Sequence, residues 1–156
     1  MKAQQTDAGS ARIGVLRRWI LGVLMLGLLG TVIELILLEH YEQPLQFVPL
    51  VLIGLAFVTL AWNGLQDSPA SRHALVIVMI LFVLAGFAGA AAHFIGSAEF
   101  QLELDRSMST WDLVMKVMRA KAPPVLAPGM MMQLGLLGLA YVLSDCRFRG
   151  SKTVRP

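Results

Sequence analysis

The chain has 156 residues, 56% of them hydrophobic and 15% charged, with a mean hydropathy of +0.68. That is too apolar for a soluble domain of this length, and the length leaves room for one bundle without a separate soluble domain. The net charge of +3 does not point to nucleic acid, because the basic residues sit beside apolar runs, and the single cysteine, Cys146, excludes an internal disulfide.

Met1 to Leu16 is polar and weakly basic, without a sustained apolar period, and is expected to fray or to lie on a membrane surface. Arg12, Arg17 and Arg18 precede the first apolar run, as they would in a secretory signal. The run is long for a signal, however, and no small-residue cleavage site follows it, so it is read as retained. This first span covers about 17–38. Trp19 to Leu38 is twenty residues, enough at about 1.5 Å each to cross a hydrocarbon core of ~30 Å, and Glu34 is the one charge within it.

A second span is predicted over about 45–65, with Pro44 and Pro49 at its start, where a missing N–H costs little. A third, about 74–95, is free of charge and closes on the small residues of AGFAGAAAHFIG. The only long connection, 97–124, contains SMSTWDLVMKVMRAK. There Ser109 stands three residues before Asp112 as a capping-box start, and Trp111, Val114, Met115 and Met118 form an apolar row. We read 109–121 as a short amphipathic helix in the membrane interface, with Trp111 at headgroup level. The fourth span, about 125–144, begins among Pro123, Pro124 and Pro128, which distort its first turn.

The expected fold is therefore all-α, one transmembrane domain over 1–156: a four-helix up-down-up-down bundle with an interfacial helix between the third and fourth spans. With the N-terminus cytoplasmic, nine basic residues (Lys2, Arg12, Arg17, Arg18, Arg72, Arg147, Arg149, Lys152, Arg155) fall inside. Four (Arg106, Lys116, Arg119, Lys121) fall outside, so both termini are expected in the cytoplasm. Small residues mark helix contacts in lipid. Gly27, Gly30 and Glu34 make one such stripe, Gly86, Gly89, Ala90 and His93 another, Gly135 with Gly138 a third, and Ala56, Thr59 and Asn63 share a face of the second span.

These stripes turn Glu34 and His93 toward other helices at similar depth. A carboxylate in hydrocarbon costs ~3 kcal/mol unless paired or protonated, and a neighbouring histidine would relieve it. The bland alternative is a snorkelling Glu34 and an interfacial His93. Glu39, His40 and Glu42, in EHYE, form an outer cluster of metal-ligand type, and His40 with His93 could hold a haem iron from two helices, yet such clusters are more often solvated helix ends. Glu34, His40 and His93 are thus the metal candidates. Six of the nine methionines (Met108, Met115, Met118, Met130, Met131, Met132) fall on the outer side, where thioethers suit Cu(I); they also fill gaps in packing. Gln133 is expected to hydrogen-bond a neighbouring helix or a ligand, and Cys146 beside Arg147 is a lipidation candidate or an idle thiol.

No Gly-rich phosphate loop, CxxC, HExxH or nucleophile elbow is present. Two functions remain. The first is a non-enzymatic accessory or assembly subunit that packs in the bilayer against a protein partner or its own copies. The alternative is an outward-facing Glu/His site acting as a proton relay, metal centre or haem site. The first is favoured because four spans with one intramembrane carboxylate and no evident inverted repeat offer little machinery for transport.

Overall fold

The structure is a computed structural model that describes residues 2–39, 44–119 and 126–152. Every regular element among these residues is helical: α1 (Lys2–Leu37), a 3-10 turn (Pro44–Gln46), α2 (Phe47–Leu65), α3 (Pro69–Leu104), α4 (Thr110–Met118) and α5 (Leu126–Lys152). Four helices are long and apolar enough to span a membrane, over Ala11–Leu37, Pro44–Leu65, Pro69–Leu104 and Ala127–Ser144. This is the make-up of a multi-pass membrane protein.

Two helices run further than the sequence pattern implies. The polar lead joins α1 as one helix of 36 residues, because no proline interrupts it and adding turns to an existing helix needs no new nucleus. The third span likewise becomes a helix of 36 residues. Its start is set by Ser68, whose hydroxyl accepts the Ser71 amide at 3.1 Å, and by Pro69 in the first turn, where its fixed φ suits the helix. Its end is set by Asp105. That carboxylate accepts the Ser107 amide at 2.9 Å and the Ser107 hydroxyl at 2.6 Å, holding the chain in a turn.

The α2–α3 corner is tied by a buried polar pair, in which Asn63 Nδ2 donates to Ser71 Oγ at 3.2 Å. Ser71 Oγ also donates to the Gln66 carbonyl at 2.8 Å, so the polar groups of this tight connection are satisfied internally.

The core runs between α3 and α5, the most extensively packed pair, with α1 against α5 and α2 against α3. Glycines let α3 and α5 approach: Gly86 lies under Pro128 and Met132, and Gly135 lies on the Met79 carbonyl and Phe82. Gly27 of α1 faces Leu134, and at the other end Arg17 Nη2 donates to the Tyr141 hydroxyl at 3.2 Å, with the guanidinium 4.6 Å from the ring centroid. Large apolar side chains cover the outside, among them Trp19 (70% exposed), Leu26 (72%) and Leu65 (86%). In water such a surface would aggregate, whereas in lipid it is the required one.

The stripe expected on α1 is rotated from the one that packs. Leu24, Leu28, Thr31 and Leu35 are the buried line, while Gly30 has open space around it and Glu34 is exposed. At about 100° per residue, Glu34 lies roughly a quarter-turn from that line. The reason is that branched apolar side chains fill the α1–α5 interface, and only Gly27 is needed small.

Candidate functional site

α1 and α2 touch little, and where α1 ends and α2 begins the helices leave a cavity of about 370 Å³. Its size is within the range of ligand sites, roughly 300–1,000 Å³. α1 contributes Thr31, Glu34, Leu35 and Leu38, and the start of α2 contributes Leu45, Gln46, Val48 and Pro49. The floor comes from α3, with Ala85, Ala88, Gly89, Ala92 and His93, and from the first turns of α5, with Ala127, Pro128, Met130 and Met131. The small α3 residues make the hollow, since side chains of ordinary size there would fill it.

Local sequence explains each polar position. His93 continues the line of Gly86 and Gly89, about one turn past the point where Pro128 covers Gly89 at 3.5 Å, so it emerges where α5 no longer shields α3. Glu34 reaches the same hollow from the flank of α1. Gln46 enters from the 3-10 turn between Pro44 and Pro49. Glu34 and His93 therefore share one cavity.

Glu39 ends α1 in the left-handed region, at φ 51°, and is exposed. His40 and Glu42 lie outside the described residues, so the EHYE cluster and a two-histidine haem site fall there too. Among the described residues no group of three or more His, Cys, Asp or Glu is placed to hold a metal ion. The donors that do converge are Glu34, His93 and the neighbouring Met130 and Met131. Such a set offers a carboxylate acceptor, an imidazole and soft thioethers over an apolar floor.

Gln133 is not in the cavity. It is exposed, on the far side of α5 from Met131, Leu134, Gly135 and Gly138, and it meets no hydrogen-bond partner among the described residues. On α4, Ser109 caps the helix by accepting the Asp112 amide at 3.2 Å, as the spacing implies. Val117 is the side chain buried there (1% exposed), whereas Trp111 (71%) and Met118 (42%) are exposed and Met115 is half-buried. Of the expected apolar row, Trp111 and Met118 are thus exposed, and Val114 and Met115 are half-buried. Cys146 lies in α5, with its side chain outside the described part.

Sequence reasoning passed over Gln46, Thr31 and the small residues Ala85, Ala88 and Ala92, although the small-xxx-small spacing of Ala85 with Gly89 and of Ala88 with Ala92 was a readable signal of a close approach or a hollow. Compared with models of known families, with characterised proteins and with solved structures, the chain matches none.

Proposed function

We propose that the chain is a non-enzymatic accessory or assembly subunit of a membrane complex, an up-down-up-down bundle whose α5 packs against a partner helix. Gln133 carries the reading. It stands six residues inside the fourth span, about 9 Å from its start, on a face shared with Gly129 and Ala140 and turned away from its own bundle. An amide in hydrocarbon seeks a partner, and an interhelical hydrogen bond there contributes about 0.6–2 kcal/mol. Small neighbours let a second backbone come close enough to supply it.

The alternation of helix direction is supported by the pairs that meet: Arg17 with Tyr141, Gly27 with Leu134, Gly86 with Pro128, and Gly135 with Met79. The distribution of basic residues favours both termini in the cytoplasm. α4 lies at the opposite, outer interface in this reading, its Val117 against the bundle and its exposed Trp111 and Met118 toward the acyl boundary.

A photo-crosslinking residue at Leu136, in native membranes, tests the partner face, with one at Leu84 as control. We expect a discrete protein adduct from position 136 that Gln133→Leu abolishes, and an adduct of twice the chain mass would make the partner a second copy. Lipid adducts alone from both positions would refute the reading.

The cavity supports a second reading, in which Glu34 and His93 bind a small ligand, proton or metal from the outer side. An absorbance spectrum and metal analysis of the purified protein test it. A stoichiometric chromophore or metal would promote it over the first.

A further inference from the structure

The cavity beside Glu34 and His93 is bounded by helices of membrane-spanning length, and its two ends differ in chemistry. On α3 the lining runs from Ala85 to His93, eight residues or about 12 Å. Ala85 and the buried Met131 lie toward one end, Gln46 and His93 toward the other, with Glu34 between them. An occupant with an apolar body and one polar group matches that division.

The polar groups are rich in acceptors and short of positive charge. An ionised Glu34 only accepts hydrogen bonds, and the Thr31 hydroxyl gives its hydrogen to the Gly27 carbonyl at 2.8 Å, which leaves it an acceptor as well. Only the Gln46 amide and the His93 ring can donate. Among the described lining residues there is no lysine or arginine, so Glu34 is the one residue of fixed charge. A carboxylate among apolar groups at membrane depth is costly unless a cation meets it. An anionic ligand would add to that cost, and an aminophospholipid would bring a phosphate that no described lysine or arginine of the lining could pair. A quaternary ammonium has no N–H for these acceptors and is held elsewhere by aromatic faces, and the described lining has no Phe, Tyr or Trp.

We infer that this cavity binds a membrane-soluble primary amine in its protonated form, the ammonium donating to the Glu34 carboxylate and the apolar body lying against Ala85, Ala88, Gly89 and Met131. The ammonium supplies both things the lining lacks, a positive charge and N–H donors, and a charge-assisted hydrogen bond of this kind is among the stronger ones. The small α3 residues give the body its room. The inference rests on the ligand-binding reading of the cavity given above.

Isothermal titration of the full-length protein in lipid nanodiscs tests it with four probes that share one compact apolar body: adamantylammonium, trimethyladamantylammonium, adamantanol and adamantane carboxylate. Empty nanodiscs give the partitioning to subtract. We expect the wild-type protein to bind adamantylammonium saturably and about tenfold more tightly than the alcohol or the quaternary ammonium, with the carboxylate weakest. Glu34→Gln should bring adamantylammonium down to the level of the alcohol. Ala88→Leu, which fills the hollow from an exposed position, should weaken both. Equal binding of the ammonium and the alcohol by the wild-type protein, which depends on no variant folding, would overturn the inference; if Ala88→Leu still weakened both, the cavity would remain a ligand site for some other chemistry. A quaternary ammonium bound as tightly as the primary one would overturn the N–H donation on which the choice of a primary amine depends. Ammonium affinity unchanged by both Glu34→Gln and Ala88→Leu would place the amine elsewhere and overturn the inference as well. Saturable binding of none of the four would sink the ligand-binding reading of the cavity and the inference with it.

Discussion

The glycines offer a graded test of how the helices pack. A Cβ at Gly135 would stand 2.7 Å from the Met79 carbonyl oxygen and 2.8 Å from Val83 Cγ2, so backbone or a stiff β-branched side chain must move. At Gly27 the nearest atom is Leu134 Cδ2, at 2.5 Å, the end of a side chain that can turn. At Gly30 nothing lies within 4 Å. Each Gly→Ala change gains about 0.5–1 kcal/mol in helix propensity, which cancels when sites are compared. The difference that remains is steric, about 1–3 kcal/mol for forcing a group into a packed interface. Gly30→Ala should therefore be stabilised by up to about 1 kcal/mol, Gly27→Ala should fall close to the wild-type protein, and Gly135→Ala should lie about 1–3 kcal/mol below Gly30→Ala. Reversible denaturation of the detergent-solubilised protein measures the series. If Gly135→Ala were as stable as Gly30→Ala, α3 and α5 would not be in the contact described.

Three further predictions follow from other regions. Glu34 and His93 line one cavity, so Glu34→Gln and His93→Ala should couple, the double variant of the purified protein costing about 0.6 kcal/mol less than the sum of the two single changes, and strict additivity would show that the two side chains do not interact. For topology, Arg106→Cys on a Cys146→Ser background should label from outside intact cells while Ser151→Cys stays protected, and the reverse pattern would invert the orientation. Asp105 is exposed, and its carboxyl is held below its ordinary 3.8, first by the Ser107 hydroxyl, then by the Ser107 amide, with a smaller effect of Lys116. A depressed acid contributes fully above its ordinary value and loses that contribution as pH falls through the lowered one. The turn after α3 should thus loosen only below about pH 3.8, and Ser107→Ala should move the Asp105 titration, followed by NMR, back upward; an unmoved titration would remove the hydroxyl as its cause.

What the sequence determined by itself is what depends on neighbours along the chain. The four apolar runs fixed the class and the approximate spans, because length and composition alone decide whether a helix can cross a bilayer. Ser109 with Asp112 set the start of α4, since a cap needs only residues within one turn. The longer reach of α3 was also written locally, in Ser68 and Pro69 at its start and in Asp105 with Ser107 at its end, although the apolar pattern drew attention away from both. Only the tertiary structure decided how each helix is rotated about its axis. It turned Leu24, Leu28, Thr31 and Leu35 inward in place of Gly30, set Gln133 on the outer face of α5, and brought Glu34 and His93 to one cavity. The physical reason is that a helix in lipid is apolar on every side, so its inner and outer faces share one chemistry, and close packing between particular glycines and side chains selects the rotation.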